Sequence, residues 1–186
     1  MKKLSVSILA LVFSVAALTA QEKKINTETS SITWKGYKVT GSHEGSLEFK
    51  EGSLVFKNDK LSAGEFVVDM TTLAVTDLEG GMKGKLEGHL KSDDFFSTEK
   101  NTTSKLVFTV GKATGKNAYA AKGKLTIKGI TKPVDFTISV YGSKATASLK
   151  IDRTEFNIKY QSGSFIENLG DKAIYDDFDL VVDLQF

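Results

Sequence analysis

Apolar and polar residues alternate at every second position through most of this chain. That period predicts antiparallel strands with one dry and one wet face. Ile32, Trp34 and Gly36 alternate with Thr33 and Lys35; His43, Gly45, Leu47 and Phe49 alternate with Glu44, Ser46, Glu48 and Lys50. Gly64, Phe66, Val68 and Met70 carry the next dry face, and Leu106, Phe108 and Val110 another. Tyr119, Ala121, Gly123, Leu125 and Ile127 follow, opposed by Lys122, Lys124, Thr126 and Lys128. Two more runs, Val134 to Val140 and Ala145 to Ile151, precede a last strand from Phe178 to Phe186. Glu51-Gly52, Asn58-Asp59, the residues around Gly115, and Gly129 to Pro133 supply turn chemistry between them. The sole proline stands where a strand begins, a position it tolerates.

One stretch breaks the period. In Gly81 to Phe96 the residues Met82, Leu86, His89 and Leu90 recur at helical spacing, which predicts a short helix with one apolar side. Gly84 and Gly88 weaken it, so packing must hold it in place. Thr71 to Gly80 reads as the loop leading in, and Ser92-Asp93-Asp94-Phe95-Phe96 as its end. Such a helix is either a lid or plug on a barrel, or a crossover helix covering a sheet.

Short strands, hairpin turns and a single helix predict an all-β fold, an antiparallel up-and-down β-barrel of about eight strands. A sandwich gives the same one-dimensional pattern. The dry face would line the inside and the lysine-rich face would meet water. No repeat, low-complexity segment or linker divides the chain, so residues 21–186 are expected to form one domain.

The first residues change the setting. Lys2 and Lys3 precede an apolar run from Leu4 to Leu18, followed by Thr19-Ala20-Gln21. This reads as a secretory signal peptide over residues 1–20, and the run is short for a membrane span. Removing it takes two lysines and no acid, which leaves the remainder formally neutral. Neutrality argues against nucleic acid as a partner. With no cysteine, an exported protein here relies on its core rather than on disulfides. The expected location is periplasmic or secreted.

Candidate chemistry is sparse. His43 lies on the dry phase of its strand, and His89 reads as a helix-packing residue. No zinc, phosphate-loop or nucleophile-elbow signature is present, so no catalytic residue, metal or cofactor is expected. The acidic pairs Asp93-Asp94 and Asp176-Asp177 read as caps and turns. Arg153, the only arginine, falls in phase with Ala147, Leu149 and Ile151, which points it toward the dry side.

Several motifs together resemble the YceI-like lipid/polyisoprenoid-binding family. They are Trp34-Lys35-Gly36 with Thr40-Gly41-Ser42-His43-Glu44-Gly45, then Leu86 to Phe96, Gly123 to Val134, Asp152-Arg153-Thr154-Glu155-Phe156, and Gly170 to Phe178. They run in order from Ser31 to the C-terminus. The family pattern usually has a proline soon after the Phe-Phe pair; here Asn101-Thr102-Thr103 stands near that place. The resemblance implies a lipocalin-like barrel with an elongated apolar cavity for an isoprenoid or fatty-acyl lipid, without catalysis or metal.

The dry faces nominate Trp34, Leu47, Phe49, Phe66, Phe108, Phe136 and Phe156 as lining residues, with Phe95 and Phe96 near an entrance. Arg153 is expected at the mouth, binding the polar head of the ligand, with His43 beside it. The alternative for Arg153 is a pair with a buried acid such as Asp93 or Asp177. Two other functions stay open: a fully packed structural or stress-related barrel, and an enzyme acting on a lipid or quinone precursor with His43 as base. Transient membrane contact and a homodimer stay open as well.

Export should remove residues 1–20 and leave Gln21 as the N-terminus. The intact mass of the exported protein checks this, and a soluble periplasmic form that retains the first twenty residues would contradict it.

Overall fold

The computed structural model describes residues 20–186, so the expected signal peptide lies outside the described residues except for Ala20. Nine strands form one sheet: β1 (Ala20–Lys24), β2 (Ser31–Lys38), β3 (Gly41–Lys57), β4 (Lys60–Val75), β5 (Thr103–Gly115), β6 (Ala118–Ile127), β7 (Ile130–Tyr141), β8 (Lys144–Asp152) and β9 (Ile174–Gln185). The strands β2 to β9 pair with their chain neighbours, all antiparallel, and β9 pairs back onto β2. The result is a closed eight-stranded up-and-down barrel, not a sandwich. Closure leaves no free edge in the ring, so each wall strand finds backbone partners on both sides.

The period-2 pattern does what it predicts. In β8, Ala145, Ala147, Leu149 and Ile151 are buried, while Lys144, Thr146, Ser148 and Lys150 are exposed. Two tight hairpins set the register. Asn58 and Asp59 join β3 to β4 with both φ positive, and Lys128 and Gly129 join β6 to β7 in the same way. This is the turn whose twist matches a right-handed strand pair.

The longest strands, β3 and β4, depart from the simple pattern. Their ladder shifts register between Ser46 and Glu48, between Phe49 and Glu51, and between Val55 and Phe56. Each such irregularity bends the pair, and an inserted residue moves the following side chains to the other face. Phe49 faces inward at an odd position, Leu54 and Phe56 at even ones. On β4 the inward phase passes from Met70 to Leu73 and Val75. The expected loop from Thr71 is therefore a correction: the strand runs on to Val75, and Thr72 Oγ1 accepts the Glu48 N–H at 2.9 Å inside the irregularity.

β1 is a second feature the period does not predict. The β2 strand pairs with residues 41–47 of β3, which leaves the far half of that edge open; β1 fills it against residues 53–57. The connection to β2 then crosses the barrel end. The Ile25 N–H bonds Gly52 O at 3.0 Å, the Asn26 N–H bonds Gln185 O at 2.7 Å, and the Ile25 side chain is buried. Beside it Phe56 and Phe186 lie 5.5 Å apart, with Lys23 Nζ over both rings. Leu54, Phe108, Ile138 and Leu184 are almost wholly buried and form the dense part of the core.

The other end carries both long connections, residues 76–102 and 153–173. The first contains the helix α1 (Gly80–Lys91). Glu79 at its start makes no side-chain cap; instead Glu87 Oε1 accepts the Val75 N–H at 2.8 Å and ties the helix to the end of β4. No residue of α1 is fully buried, and Met82 is 68% exposed, so the expected apolar stripe is narrower than its sequence period. Leu86 and Leu90 alone of that stripe's aliphatic residues turn to the interior. The helix joins adjacent antiparallel strands and sits over the barrel end, which makes it a lid rather than a sheet-covering crossover.

Gly45 is a seat for a ring. A Cβ there would meet Ala74 O at 1.8 Å and the Trp34 ring at 2.5 Å. Gly45→Ala should therefore destabilise the barrel by about 3 kcal/mol, the upper range of overpacking. Gly84→Ala, with nothing within 4 Å of the added carbon, should be neutral or stabilise by up to about 1 kcal/mol. Urea unfolding of both variants checks the pair, and a Gly45 variant as stable as the parent would contradict the close packing.

Candidate functional site: an apolar cavity under the helical end

Under α1 the barrel interior is not filled. A cavity of about 200 Å³ runs between the dry faces of the wall strands. Protein interiors seldom leave voids larger than one water, and an apolar void of ~150 Å³ already stays dry and takes up benzene. Phe49, Phe66, Leu125, Phe136, Leu149 and Leu180 supply much of the wall. Leu86, Leu90, Phe95 and Phe96 close it from above.

Nine of the eleven residues nominated from sequence border this space: Trp34, His43, Leu47, Phe49, Phe66, Phe95, Phe96, Phe136 and Arg153. Phe108 and Phe156 lie outside the lining. The Phe108 ring stacks on Phe66 at 5.9 Å and meets Phe136 edge-on at 5.2 Å, in the packed part of the core. Phe156 is buried in a short 3-10 turn over residues 153–156. The sequence reading missed the lining contributed by Leu73, which only the altered phase of β4 turns inward, and by Ser104, a polar residue at an inward position.

Arg153 is inside, as its phase suggests, but its donors are taken. Nε–H donates to Tyr175 O at 3.1 Å, Nη1 to Ile158 O at 2.8 Å, and Nη2 to Ile174 O at 2.9 Å. Nη2 also reaches Asp176 Oδ1 at 3.5 Å. Burial pulls the guanidinium below its usual pKa, while Asp176 and Asp152 oppose that shift. Only 4% of the residue is exposed. The side chain fastens the 153–173 connection to the start of β9, and the acid it meets is Asp176 rather than Asp93 or Asp177. Asp176 is held in turn by the Ser164 hydroxyl at 2.5 Å.

His43 has a comparable local job. Its Nδ1 lies 2.8 Å from Asp77 Oδ2, and Asp77 Oδ1 accepts the Glu44 N–H at 3.2 Å. Burial raises the Asp77 carboxyl, but the hydrogen bonds from His43 and from backbone N–H groups outweigh it and leave the pKa lowered. The pair pins the residues after β4 to the start of β3. Among the described residues, no group of three or more His, Asp or Glu side chains is placed to hold a metal ion.

The lid is held through aromatics and a tight turn. The His89 ring meets Tyr160 edge-on at 4.5 Å and Phe95 at 5.0 Å, while Phe96 meets Phe178 at 6.3 Å. His89 is thus the packing residue its helical phase suggests. Asp93 caps the turn that follows: its carboxylate accepts from Ser97 Oγ and from Lys100 Nζ, and its carbonyl from Lys128 Nζ. Those hydrogen bonds lower the Asp93 pKa, the Lys100 contact most. Asn101, near where the resemblance leads one to expect proline, closes the turn by donating its amide to Ser97 O at 3.2 Å.

Arg153→Met should strip three carbonyls of their donor and leave Asp176 without its cation. The expected loss is about 3–5 kcal/mol of unfolding free energy. Arg153→Lys should recover only part of it, because one ammonium cannot reproduce the planar fork. Denaturant midpoints of the ligand-free proteins check this; an unchanged midpoint for Arg153→Met would leave the side chain available for a head group instead.

Comparisons with known proteins agree on the architecture. The YceI-like domain model matches residues 24–186. A UPF0312 protein of Pseudomonas putida strain W619 is 28% identical over 135 residues, covering 69% of this chain and 67% of the relative. A UPF0312 protein of Photorhabdus laumondii is 32% identical over 130 residues, covering 64% and 65%. Among solved structures, Burkholderia cenocepacia BcnA superposes with a TM-score of 0.68 at 21% identity, over 86% of this chain and 98% of that one. A polyisoprenoid binding domain from Saccharophagus degradans gives 0.58 at 11% identity, over 90% and 98%. With the family model spanning the whole barrel and its lid, this chain belongs to the YceI-like domain family.

Proposed function

We propose that this protein is an exported binding protein that holds a long-chain lipid, isoprenoid or fatty-acyl, in the barrel cavity. The observation that carries the reading is a void of about 200 Å³ walled by Phe, Leu and Ile inside a closed barrel. Each buried methylene contributes ~0.8 kcal/mol, so roughly ten of them supply ~8 kcal/mol, the free energy of micromolar binding, from which the cost of ordering the chain is subtracted. The structural relative from Saccharophagus degradans, a polyisoprenoid binding domain, supports the chemistry, and the leader-like residues 1–20 support an exported setting.

A lid tied down by hydrogen bonds and aromatic contacts, rather than by a fully buried helix face, suits a guest that enters at that end. A fully packed barrel would have no use for the space. Catalysis is not part of this reading: His43 is accounted for by its bond to Asp77. Transient membrane contact during loading and a homodimeric form belong to the same proposal.

Phe136→Trp puts the extra ring into the cavity wall. Lipid uptake, followed by displacement of an apolar fluorescent probe, should fall severalfold while unfolding free energy changes by less than about 1 kcal/mol. A marked loss of stability with unchanged uptake would mean that the wall is filled at this point. Native mass spectrometry of protein purified from its own cells, with extraction of the bound mass, identifies the lipid.

A further inference from the structure

The ladder between β2 and β9 is interrupted near the helical end. Gly36 of β2 pairs with Phe178 of β9, and the next pair is Lys38 with Ile174. Tyr37 alone therefore faces Tyr175, Asp176 and Asp177. Extra residues on one strand bend it and disrupt the ladder. The carbonyls of Ile174 and Tyr175 accept from Arg153 beside this break.

The wall is thin and unfilled here. Tyr37, Ile174, Tyr175 and Asp177 border the cavity on one side and an open groove on the other. Lys150, on the exposed face of β8, lines that groove too, which places it on the outside of the barrel. Gly36 follows Ile32 and Trp34 in the inward phase and borders the cavity. A Cβ built on Gly36 would meet nothing within 4 Å, whereas one on Gly45 would strike Trp34. Open space thus remains inside the wall at the residue where the ladder breaks.

A lipid needs such a place for its polar end, because a polar group in an apolar interior is costly unless something bonds it. Several charged groups on the lining are engaged: Arg153 with carbonyls, His43 with Asp77, and Lys105 with Glu65. At the break the Tyr37 hydroxyl donates to Asp179 Oδ2 at 2.7 Å, and its oxygen keeps a lone pair to accept with. The charge left there is negative. Asp176 pairs with Arg153 and Asp179 with Lys150. Asp177 has no ion pair among the described residues, and opposite it in β8 stands another acid, Asp152, which serves Thr154. A carboxylate or phosphate at the break would meet like charge; a hydroxyl or ester would not.

We propose that the break between β2 and β9 seats the polar end of the bound lipid, and that this end is uncharged, an alcohol or ester rather than a carboxylate or phosphate. This rests on the lipid-binding reading and names the lipids it favours. The chain occupies the Phe- and Leu-lined space. The head lies against Gly36 and Tyr37 and faces the groove.

The experiment titrates stripped protein with dodecane, dodecan-1-ol and, in alkaline buffer, dodecanoate. It reads displacement of an apolar fluorescent probe and the backbone amide shifts by NMR. Dodecanol should move the amides of Gly36, Tyr175, Asp176 and Asp177 more than dodecane does, and it should bind more tightly than dodecanoate. Gly36→Leu fills the open space, so the affinity ratio of dodecanol to dodecane should fall roughly tenfold, the loss of one hydrogen bond. Asp177→Lys should raise the ratio of dodecanoate to dodecanol severalfold. Circular dichroism checks folding, and Asp177→Lys with the amide shifts carries the test if the Gly36 variant folds poorly. An unchanged dodecanol-to-dodecane ratio in folded Gly36→Leu, or amides at the break that respond alike to both, would overturn the seat and leave lipid binding standing. Dodecanoate binding as tightly as dodecanol, with a ratio unmoved by Asp177→Lys, would overturn the selection against anions and so reject the proposal. Entry of none of the three would overturn both readings.

Discussion

Closure of the sheet is the constraint on which the rest of this structure depends. Once β9 pairs with β2, the ring has no free edge, and the inward phase of every strand must share one interior. Eight strands enclose only enough space for side chains or one small guest. Small changes in ring size along the wall therefore decide whether the interior is packed or open. Phe108, seated where Gly64 and Gly123 leave room, packs one region, and the space between Phe49, Phe136 and Leu180 stays open.

Closure also fixes where structure other than strands can go. A meander uses two-residue turns wherever its strands end level, and here both long connections emerge at one end. Those segments lack ladder partners and find others. Arg153 supplies donors to three carbonyls, Glu87 accepts the last N–H of β4, and Asp93 gathers Ser97 and Lys100. The lid end thus adds side-chain bonds to its backbone turns, whereas the barrel wall is held by backbone ladders. Each ion pair at that end has at least one partly hydrated partner, so the shared carbonyls of Arg153 matter more than its contact with Asp176.

Much of the fold was legible because alternation is a direct consequence of burying one face of a strand. From Ala118 to Ile151 the dry positions in the sequence are the buried ones in the structure, with few exceptions. The irregularities in β3 and β4 were not legible, since an inserted residue leaves no compositional mark; it only moves Leu73 and Val75 to the face that Met70 had held. Nor was β1, whose five residues are mostly polar and exposed and are held by backbone bonds. Within the site, the apolar wall followed from phase. The partners of Arg153 did not, because backbone carbonyls 5 to 22 residues away carry no side-chain signature. Ser104 looked like an ordinary polar strand residue until its neighbours were known.

The two ends of the barrel differ in how they could ever come apart. At one, Ile25 and the Phe56–Phe186 pair are locked between ladders, and parting them means unzipping β1 from β3. At the other, the ceiling is a glycine-containing helix and a turn, which can lift without breaking a single wall ladder. The molecule is a vessel with one neck. On the proposed function, a guest would leave by the path it came in, tail and head in reverse order, and could not be pushed through by a second molecule following behind. Exchange would then be paced by how often the ceiling opens, and the contacts of Glu87, His89 and Asp93 would set the time a guest stays as much as the wall it rests against.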